Sequence, residues 1–300
     1  MTEAELLFTE ILNCGRIYLY LNKDLPLSED KSHIVSSVLK RRILGEPLEY
    51  ILGETEFMGL EFKVNRNVFI PRPETEILVE TVINMVHSKE FRVHGSPAKA
   101  GSRLEPSCMR EKFLPVPACP AGRRQAGKVQ GILELGTGSG CIAISLAKLL
   151  SDVHITATDI SANALDTAEQ NALLNNVKIN FLLSDLFNNL ELQTMNYELI
   201  VSNPPYIPTA GIEILQPEIK YEPYIALDGG KDGLNFYRKI IRDSTRYLKE
   251  NGSLIMEMGF NQRDAVEDIF QESGNFEIIE VIKDYNNIDR VIVAHRLKCQ

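Results

Sequence analysis

Cysteine is scarce in this chain and follows no pattern. The five cysteines among its 300 residues (Cys14, Cys108, Cys119, Cys141, Cys299) form no Cys-x-x-Cys pair, which excludes a disulfide framework and a thiolate zinc cage. They are expected to be free thiols, and no metal site is expected. Long apolar runs are also missing: none reaches the roughly 20 residues that span a bilayer. The acidic opening Met1-Thr2-Glu3-Ala4-Glu5 is unlike an export or organellar leader, so a cytoplasmic protein is expected. Positive charge is short, with 32 Lys and Arg against 41 Asp and Glu, a net charge of −9. Binding through a phosphate backbone requires clustered Lys and Arg. A nucleic-acid partner held mainly that way is therefore disfavoured, although a local basic patch is not excluded. What the chain has in quantity is apolar residues, 44% of the total, enough for a large core and a smaller second domain.

The first 50 residues show helical periodicity and no strand signal, with apolar positions at Leu6, Leu7, Ile11 and Leu12 and again at Ile34, Val35, Val38 and Leu39. They predict a small helical domain over 1–50. Residues 51–72 read as a β-hairpin linker, its strands Glu61 to Val64 and Val68 to Ile70 flanking a turn at Asn65-Arg66-Asn67. Pro73 suits a first helical position, and Ile77, Leu78, Val82, Ile83 and Val86 follow at helical spacing. A third region is assigned to 73–300. Within it, 92–128 is rich in Pro, Gly, Ser and Ala and carries eight Lys or Arg against two Glu. It reads as a disordered insertion. Removing its net +6 from −9 leaves −15 for the rest, so the body of the protein is strongly acidic. The insertion is either a tolerated loop, a basic tether or a weak metal site built from His94, Cys108 and Cys119.

From Ile132 onward strand and helix signals alternate. Strands are expected at Ile132 to Leu135, Val153 to Thr158, Val177 to Leu183, Glu198 to Ser202, Ser253 to Glu257, Phe276 to Ile282 and Arg290 to His295; helices at Ser139 to Leu150, Ser161 to Asn175, Gly233 to Lys249 and Gln262 to Ser273. This is the pattern of a doubly wound α/β sheet, in which ligands sit beyond the carboxyl ends of the strands where the strand order reverses. The first strand-to-helix loop is Gly136-Thr137-Gly138-Ser139-Gly140, whose glycines let the backbone approach a ligand closely. Asp159 ends the second strand, where a carboxylate can accept two ribose hydroxyls. A nicotinamide dinucleotide would use similar parts, but pyrophosphate favours GxGxxG and this is GxGxG followed by Cys141. S-adenosylmethionine fits better, and a ligand-free glycine turn stays open. Asp185-Leu186 closes the third strand, either against an adenine ring or as a helix N-cap.

Asn203-Pro204-Pro205-Tyr206 follows the fourth strand. The prolines stiffen the backbone and remove two N–H donors, so the Asn203 side-chain oxygen and the Pro204 carbonyl can both accept from an incoming NH2, and Tyr206 can stack on a flat group. Together with the glycine loop this points to methyl transfer to nitrogen. Lys40-Arg41-Arg42 reads as a solvated helix face, with an acidic partner or ribosomal RNA as the alternative, and His295 as structural.

The chain resembles the protein-(glutamine-N5) methyltransferases that modify class 1 peptide release factors, the PrmC or HemK family. The resemblance rests on Gly45-Glu46-Pro47, Phe69 to Glu76, the glycine loop, Asn203 to Tyr206, Tyr221-Glu222-Pro223, Ala226-Leu227, Gly229-Gly230, Asp232-Gly233-Leu234 and Asp289-Arg290-Val291, in that order. Asn-Pro-Pro-Tyr alone is shared with adenine-N6 DNA methyltransferases. The resemblance implies a five-helix amino-terminal domain that docks the release factor, a hairpin linker, and a seven-stranded, Rossmann-like methyltransferase domain whose last strand is antiparallel. It implies S-adenosylmethionine as methyl donor and the glutamine of a Gly-Gly-Gln loop as acceptor. Gly136, Thr137, Gly138, Ser139, Gly140, Asp159, Leu186 and Asn203 would contact the donor, and Asn203, Pro204, Pro205 and Tyr206 the glutamine, with Asn203, Pro204 and Tyr206 catalytic. Arg72 to Glu76 would line the same cleft, and a monomer is expected. A nucleic-acid adenine methyltransferase and a non-catalytic binding protein are the alternatives.

Overall fold

The structure, a computed structural model, describes residues 2–24, 26–92, 129, 131–189, 191–192 and 195–298. Four helices open the chain: α1 (Glu3–Leu12), α2 (Arg16–Leu21), α3 (Glu29–Ile43) and α4 (Leu48–Leu52). Among the described residues this is one helix fewer than the resemblance implied. The start of α1 is fixed by a capping box, in which the Thr2 side chain accepts from the Glu5 backbone and Glu5 accepts from the Thr2 backbone. At the end of α3, Lys40-Arg41-Arg42 is more than a solvated face. Arg41 grips the nearly buried Glu46 with two bonds of 2.7 and 2.9 Å, and Arg66 joins the same carboxylate at 2.9 Å. Arg42 reaches Glu218 at 2.8 Å and also pairs with Glu3. These helices are thereby tied to residues far along the chain.

A two-stranded hairpin follows, β1 (Glu54–Phe57) and β2 (Leu60–Lys63), paired from Glu54↔Lys63 to Phe57↔Leu60. Its turn is Met58-Gly59, both left-handed at φ 52° and 71°, as a type I′ turn demands. The expected turn at Asn65 to Asn67 exists but joins no strands: Asn65 Oδ1 accepts from Asn67 N at 2.8 Å, and Val68 to Ile70 run outside any sheet. The alternating apolar residues after Lys63 mimic a strand, but Ile70 N is taken by the Glu222 carboxylate at 3.0 Å, leaving no ladder to join.

The remaining elements are α5 (Pro73–Arg92), β3 (Gly131–Leu135), α6 (Cys141–Leu149), β4 (His154–Asp159), α7 (Ala162–Leu174), β5 (Asn180–Leu183), β6 (Tyr197–Ser202), α8 (Thr209–Ile212), α9 (Asn235–Ser244), β7 (Leu248–Glu257), α10 (Arg263–Ser273), β8 (Phe276–Lys283) and β9 (Asp289–Arg296). The strands form one seven-stranded sheet in the order β5-β4-β3-β6-β7-β9-β8, and β9 runs antiparallel to both neighbours. This is the expected α/β architecture. Three boundaries differ by three residues or more. The helix expected over Gly233 to Lys249 stops at Ser244, and β7 already begins at the fully buried Leu248, which pairs with Tyr197 across a register shift. β5 begins at Asn180, later than Val177.

The central strands β3 and β6 are buried on both faces, which explains their unbroken apolar runs. One core lies between the sheet, α5 and α6; the other lies between the sheet, α9 and α10. The hairpin is fastened to the first side by buried Asn171 of α7, which accepts from Lys63 N at 2.7 Å and donates to Lys63 O at 3.0 Å and Ser139 O at 2.9 Å. One amide therefore joins hairpin, helix and glycine loop. Of the insertion read over 92–128, Arg92 is the last residue of α5 and 93–128, with His94, Cys108 and Cys119, lie outside the described residues, as does Cys299; Cys14 and Cys141 are free thiols.

Candidate active site

Strand order reverses between β3 and β6, and the loops leaving β3, β4, β5 and β6 all open into one cleft of about 310 Å3, within the usual size of a small-molecule site. Gly136 and Gly138 form part of its wall at φ 73° and 56°, and a Cβ on either would meet nothing within 4 Å, so both open onto the void. A side chain there would enter the ligand's space. Gly140 is different. It is absent from the wall, and a Cβ on it would come 2.8 Å from Ile144 and 3.2 Å from Ala168. Its glycine lets α6 pack on α7. Thr137 and Ser139 are buried beside the cleft, with Thr137 Oγ1 turned back to Glu134 Oε2 at 2.7 Å.

Asp159 closes β4 and braces this loop: Oδ2 accepts from Gly138 N at 2.8 Å and Oδ1 from Ser161 N at 2.9 Å. Burial raises its pKa, and the backbone donors at Ser161 and Gly138 counter that. An ionised carboxylate offers about four acceptor sites, and with the Ser161, Gly138 and Ile160 backbones donating to it, acceptor capacity remains for a ligand's hydroxyl. Leu186 lines the cleft at φ 52°, a left-handed conformation that strains any residue but glycine, and Ser184 Oγ holds its carbonyl at 2.7 Å. Among the described residues a turn, not a helix, comes directly after Asp185, so the N-cap alternative falls away.

Asn203, Pro204, Pro205 and Tyr206 leave β6 along the opposite wall. Asn203 Nδ2 donates to Thr75 Oγ1 at 3.1 Å, and Thr75 Oγ1 donates to Glu257 Oε2 at 2.8 Å. The Tyr206 hydroxyl approaches Glu257 Oε1 at 3.4 Å. Gln262 fixes the backbone here, donating to Tyr206 O at 2.9 Å while its Oε1 accepts from Gly259 N at 3.1 Å and from the Tyr237 hydroxyl at 3.3 Å. Gly233 must be glycine, because at φ 77° a Cβ would run into Tyr206 O.

Burial pushes the Glu257 pKa up to about 7, against the pull of the Thr75 hydroxyl and Arg290, and pushes Tyr206 up as well. Glu134, fully buried beneath the glycine loop, is likewise raised to about 7, and its Oε1 has no partner. Carboxylates Asp159, Glu134 and Glu257 thus surround a cleft whose lining is otherwise mostly uncharged.

Sequence reading named the wall, with Thr75 inside the block Arg72 to Glu76, but missed the supports Glu257, Gln262 and Glu134. A signal existed for Glu257: like Asp159, it is an acid ending an apolar strand of a parallel sheet. Of Arg72 to Glu76, only Thr75 joins the Asn203 network. Arg72 pairs with buried Glu222 and stacks on Phe69 at 4.9 Å, and Glu76 accepts from Met58 N at 2.8 Å. Tyr221-Glu222-Pro223 is a fastening: Tyr221 donates to Leu44 O at 3.0 Å, and Arg66 lies over its ring at 5.0 Å. His295 bonds Ser253 at 2.9 Å, consistent with a structural place.

Residues 1–53 match the family model described as the PrmC N-terminal domain, and residues 123–215 match the methyltransferase small domain. A release factor glutamine methyltransferase from Thermodesulfovibrio yellowstonii is 39% identical over 298 residues, covering 99% of this chain and 92% of that protein. The chain belongs to the release factor glutamine methyltransferase family. Another member, from Geobacter sulfurreducens, is 36% identical and covers 97% of this chain and 87% of its own length. The solved catalytic domain of hMettl16, in complex with a MAT2A 3′UTR hairpin, is 14% identical with a TM-score of 0.55, covering 92% of this chain and 95% of that one; it shows a shared fold. Membership of this methyltransferase family implies a methyl-donor cofactor. Among the described residues no helix is long and apolar enough to cross a membrane.

Proposed function

We propose that this protein transfers a methyl group from S-adenosylmethionine to the side-chain amide nitrogen of the glutamine in the Gly-Gly-Gln motif of class 1 peptide release factors. It would act as a monomer in the cytoplasm. The observation that carries the reading is the meeting of the glycine loop and Asn203-Pro204-Pro205-Tyr206 in one cleft, within a chain of this family.

The residues present suit that donor. Gly136 and Gly138 leave room for close approach, Asp159 keeps acceptor capacity for a ribose, and Leu186 offers an apolar face. Glu134, Asp159 and Glu257 place three carboxyl groups around the cleft, and an ionised carboxylate attracts a nearby cation such as a sulfonium. When bound, S-adenosylmethionine supplies an electrophilic methyl: the N–C bond forms as the S–C bond breaks, sulfur keeps the electron pair, and nitrogen sheds a proton. An amide nitrogen is a poor nucleophile because its lone pair is delocalised. The work of the protein is therefore to hold it in line. Asn203 Oδ1 and the Pro204 carbonyl would accept the two N–H groups and stabilise the positive charge that develops there, while Tyr206 covers the amide plane. Pro204 and Pro205 carry no N–H, so neither can compete with the substrate's hydrogens. The proton can leave to water, and no strong base is needed. Peptide mass spectrometry of the treated release factor tests this: methyl on the Gly-Gly-Gln amide nitrogen is expected, and methyl elsewhere, or on DNA in its place, would overturn it.

A further inference from the structure

We propose that Thr75 and Glu257 are positioning residues that set which end of the Asn203 amide faces the substrate. The inference rests on the function proposed above and deepens it. An asparagine amide can sit in either of two orientations, and they are opposite in chemistry: one presents an acceptor to the cleft, the other an NH2 donor. Only the first can hold a glutamine amide by its hydrogens.

Nothing within Asn203 makes that choice, and its chain neighbours do not either. Ser202 gives its hydroxyl proton to Leu135 O at 2.9 Å, and Pro204 has no N–H. The Asn203 amide instead meets Thr75 Oγ1, at 3.1 Å. A hydroxyl by itself is indifferent, since it both donates and accepts. Glu257 removes the indifference. Its ionised carboxylate can only accept, and with Oε2 at 2.8 Å it takes the single Thr75 proton. The Thr75 oxygen is left with lone pairs alone facing Asn203, so Nδ2 must turn toward it and Oδ1 toward the cleft. Thr75 and Glu257 are each 2% exposed, so water does not compete for these bonds.

The three residues come from three distant places: Thr75 from the first turn of α5, Asn203 from the end of β6, and Glu257 from the end of β7. Because β6 and β7 are paired in parallel, with Ser202 beside Met256, the ends of the two strands bring Asn203 and Glu257 to the same level of the sheet. Pro73, starting α5, then places Thr75 between them. The relay is therefore a product of the topology. It also gives one residue of the Phe69 to Glu76 block a task in orienting Asn203.

The test uses the full chain with a release factor as substrate and compares Thr75→Val, Thr75→Ser, Asn203→Ala and the Thr75→Val/Asn203→Ala double variant. Valine keeps the shape and removes the hydroxyl; serine restores it. Expected are a fall in kcat of about 10- to 100-fold for Thr75→Val with unchanged S-adenosylmethionine affinity by calorimetry, near-normal turnover for Thr75→Ser, and a double variant no slower than Asn203→Ala alone. Turnover by Thr75→Val within about threefold of wild type, or losses that multiply in the double variant, would overturn the relay. A second measurement needs no turnover. In protein labelled at asparagine, the Asn203 side-chain amide should show one hydrogen-bonded proton in wild type and Thr75→Ser, and lose that signature in Thr75→Val, with melting temperatures confirming that each variant is folded. An Asn203 amide unaltered by Thr75→Val overturns the relay even if the protein methylates its substrate. A wild-type protein that leaves the release factor unmethylated overturns the proposed function, and the relay then stands or falls on the amide spectrum.

Discussion

Asn203 is the residue on which the proposed chemistry turns, because it alone can meet the donor's side of the cleft and the acceptor amide together. Removing one preorganised group of this kind costs about 10²- to 10³-fold in rate. Asn203→Ala is expected to lose that much kcat while S-adenosylmethionine binding, measured by calorimetry, changes little; near-normal turnover would contradict the mechanism. Ionisation of Glu257 gives a second expectation. Burial first, and Glu74 of α5 as well, push its pKa up to about 7, while the Thr75 and Tyr206 hydroxyls and Arg290 of β9 pull it down. Below that pH the carboxyl carries a proton and can donate to Thr75, which frees the Thr75 proton for Asn203 Oδ1 and turns the amide the wrong way. Turnover should therefore fall as pH drops through about 7, and a pH–rate profile of Glu257→Gln should lack that inflection. Asn203, Tyr206, Asp159 and the glycines were legible in the sequence because each sits in a short motif at a strand end. Glu257 was not, and for Thr75 only its block, Arg72 to Glu76, was: the two residues lie 182 positions apart, and only the folded sheet makes them a pair.

At the scale of elements, the alternating sheet was readable from the spacing of apolar runs and turns. The misread hairpin is instructive. A type I′ turn needs φ > 0 at both central residues, and Met58-Gly59 carries only half of the usual Asn-Gly signal, so the more turn-like Asn65-Arg66-Asn67 drew the reading. What fastens the hairpin is likewise invisible in one dimension, since Asn171 answers Lys63 across more than a hundred residues. Asn171→Ala would leave the part-buried Lys63 N–H and the buried Ser139 carbonyl without this partner, and each unmet buried group costs about 1–3 kcal/mol. A loss of about 2–4 kcal/mol is expected in denaturant unfolding, with weakened S-adenosylmethionine binding because Ser139 belongs to the glycine loop. A change below about 0.5 kcal/mol would show that the hairpin is held by its apolar contacts alone.

At the scale of the whole molecule, the helices that precede the hairpin are joined to the rest through charges: Glu46 receives Arg41 and Arg66, and Glu218 receives Arg42. The Arg41 and Arg66 guanidiniums hold the Glu46 carboxyl down at about 2, below its ordinary 4.5. A depressed folded-state pKa contributes stability that is present in full above about pH 4.5 and is lost as pH falls toward 2. Glu46→Gln should therefore be less stable than wild type at neutral pH, and thermal melts should bring the two together as pH falls from 4.5 toward 2; a constant gap across that range would contradict the account. Among whole-chain properties, net charge carried the most functional information in the sequence, because an acidic body argues against a phosphate-backbone substrate. It could not name the substrate, which depends on chemistry confined to a few residues of one cleft.

The most direct test of the central claim is transfer of labelled methyl from S-adenosylmethionine to a recombinant class 1 release factor, beside the same factor with its Gly-Gly-Gln glutamine changed and a DNA control. Label on the unaltered factor alone is the predicted result. Label on the altered factor or on DNA, or no label on any of the three, would contradict it.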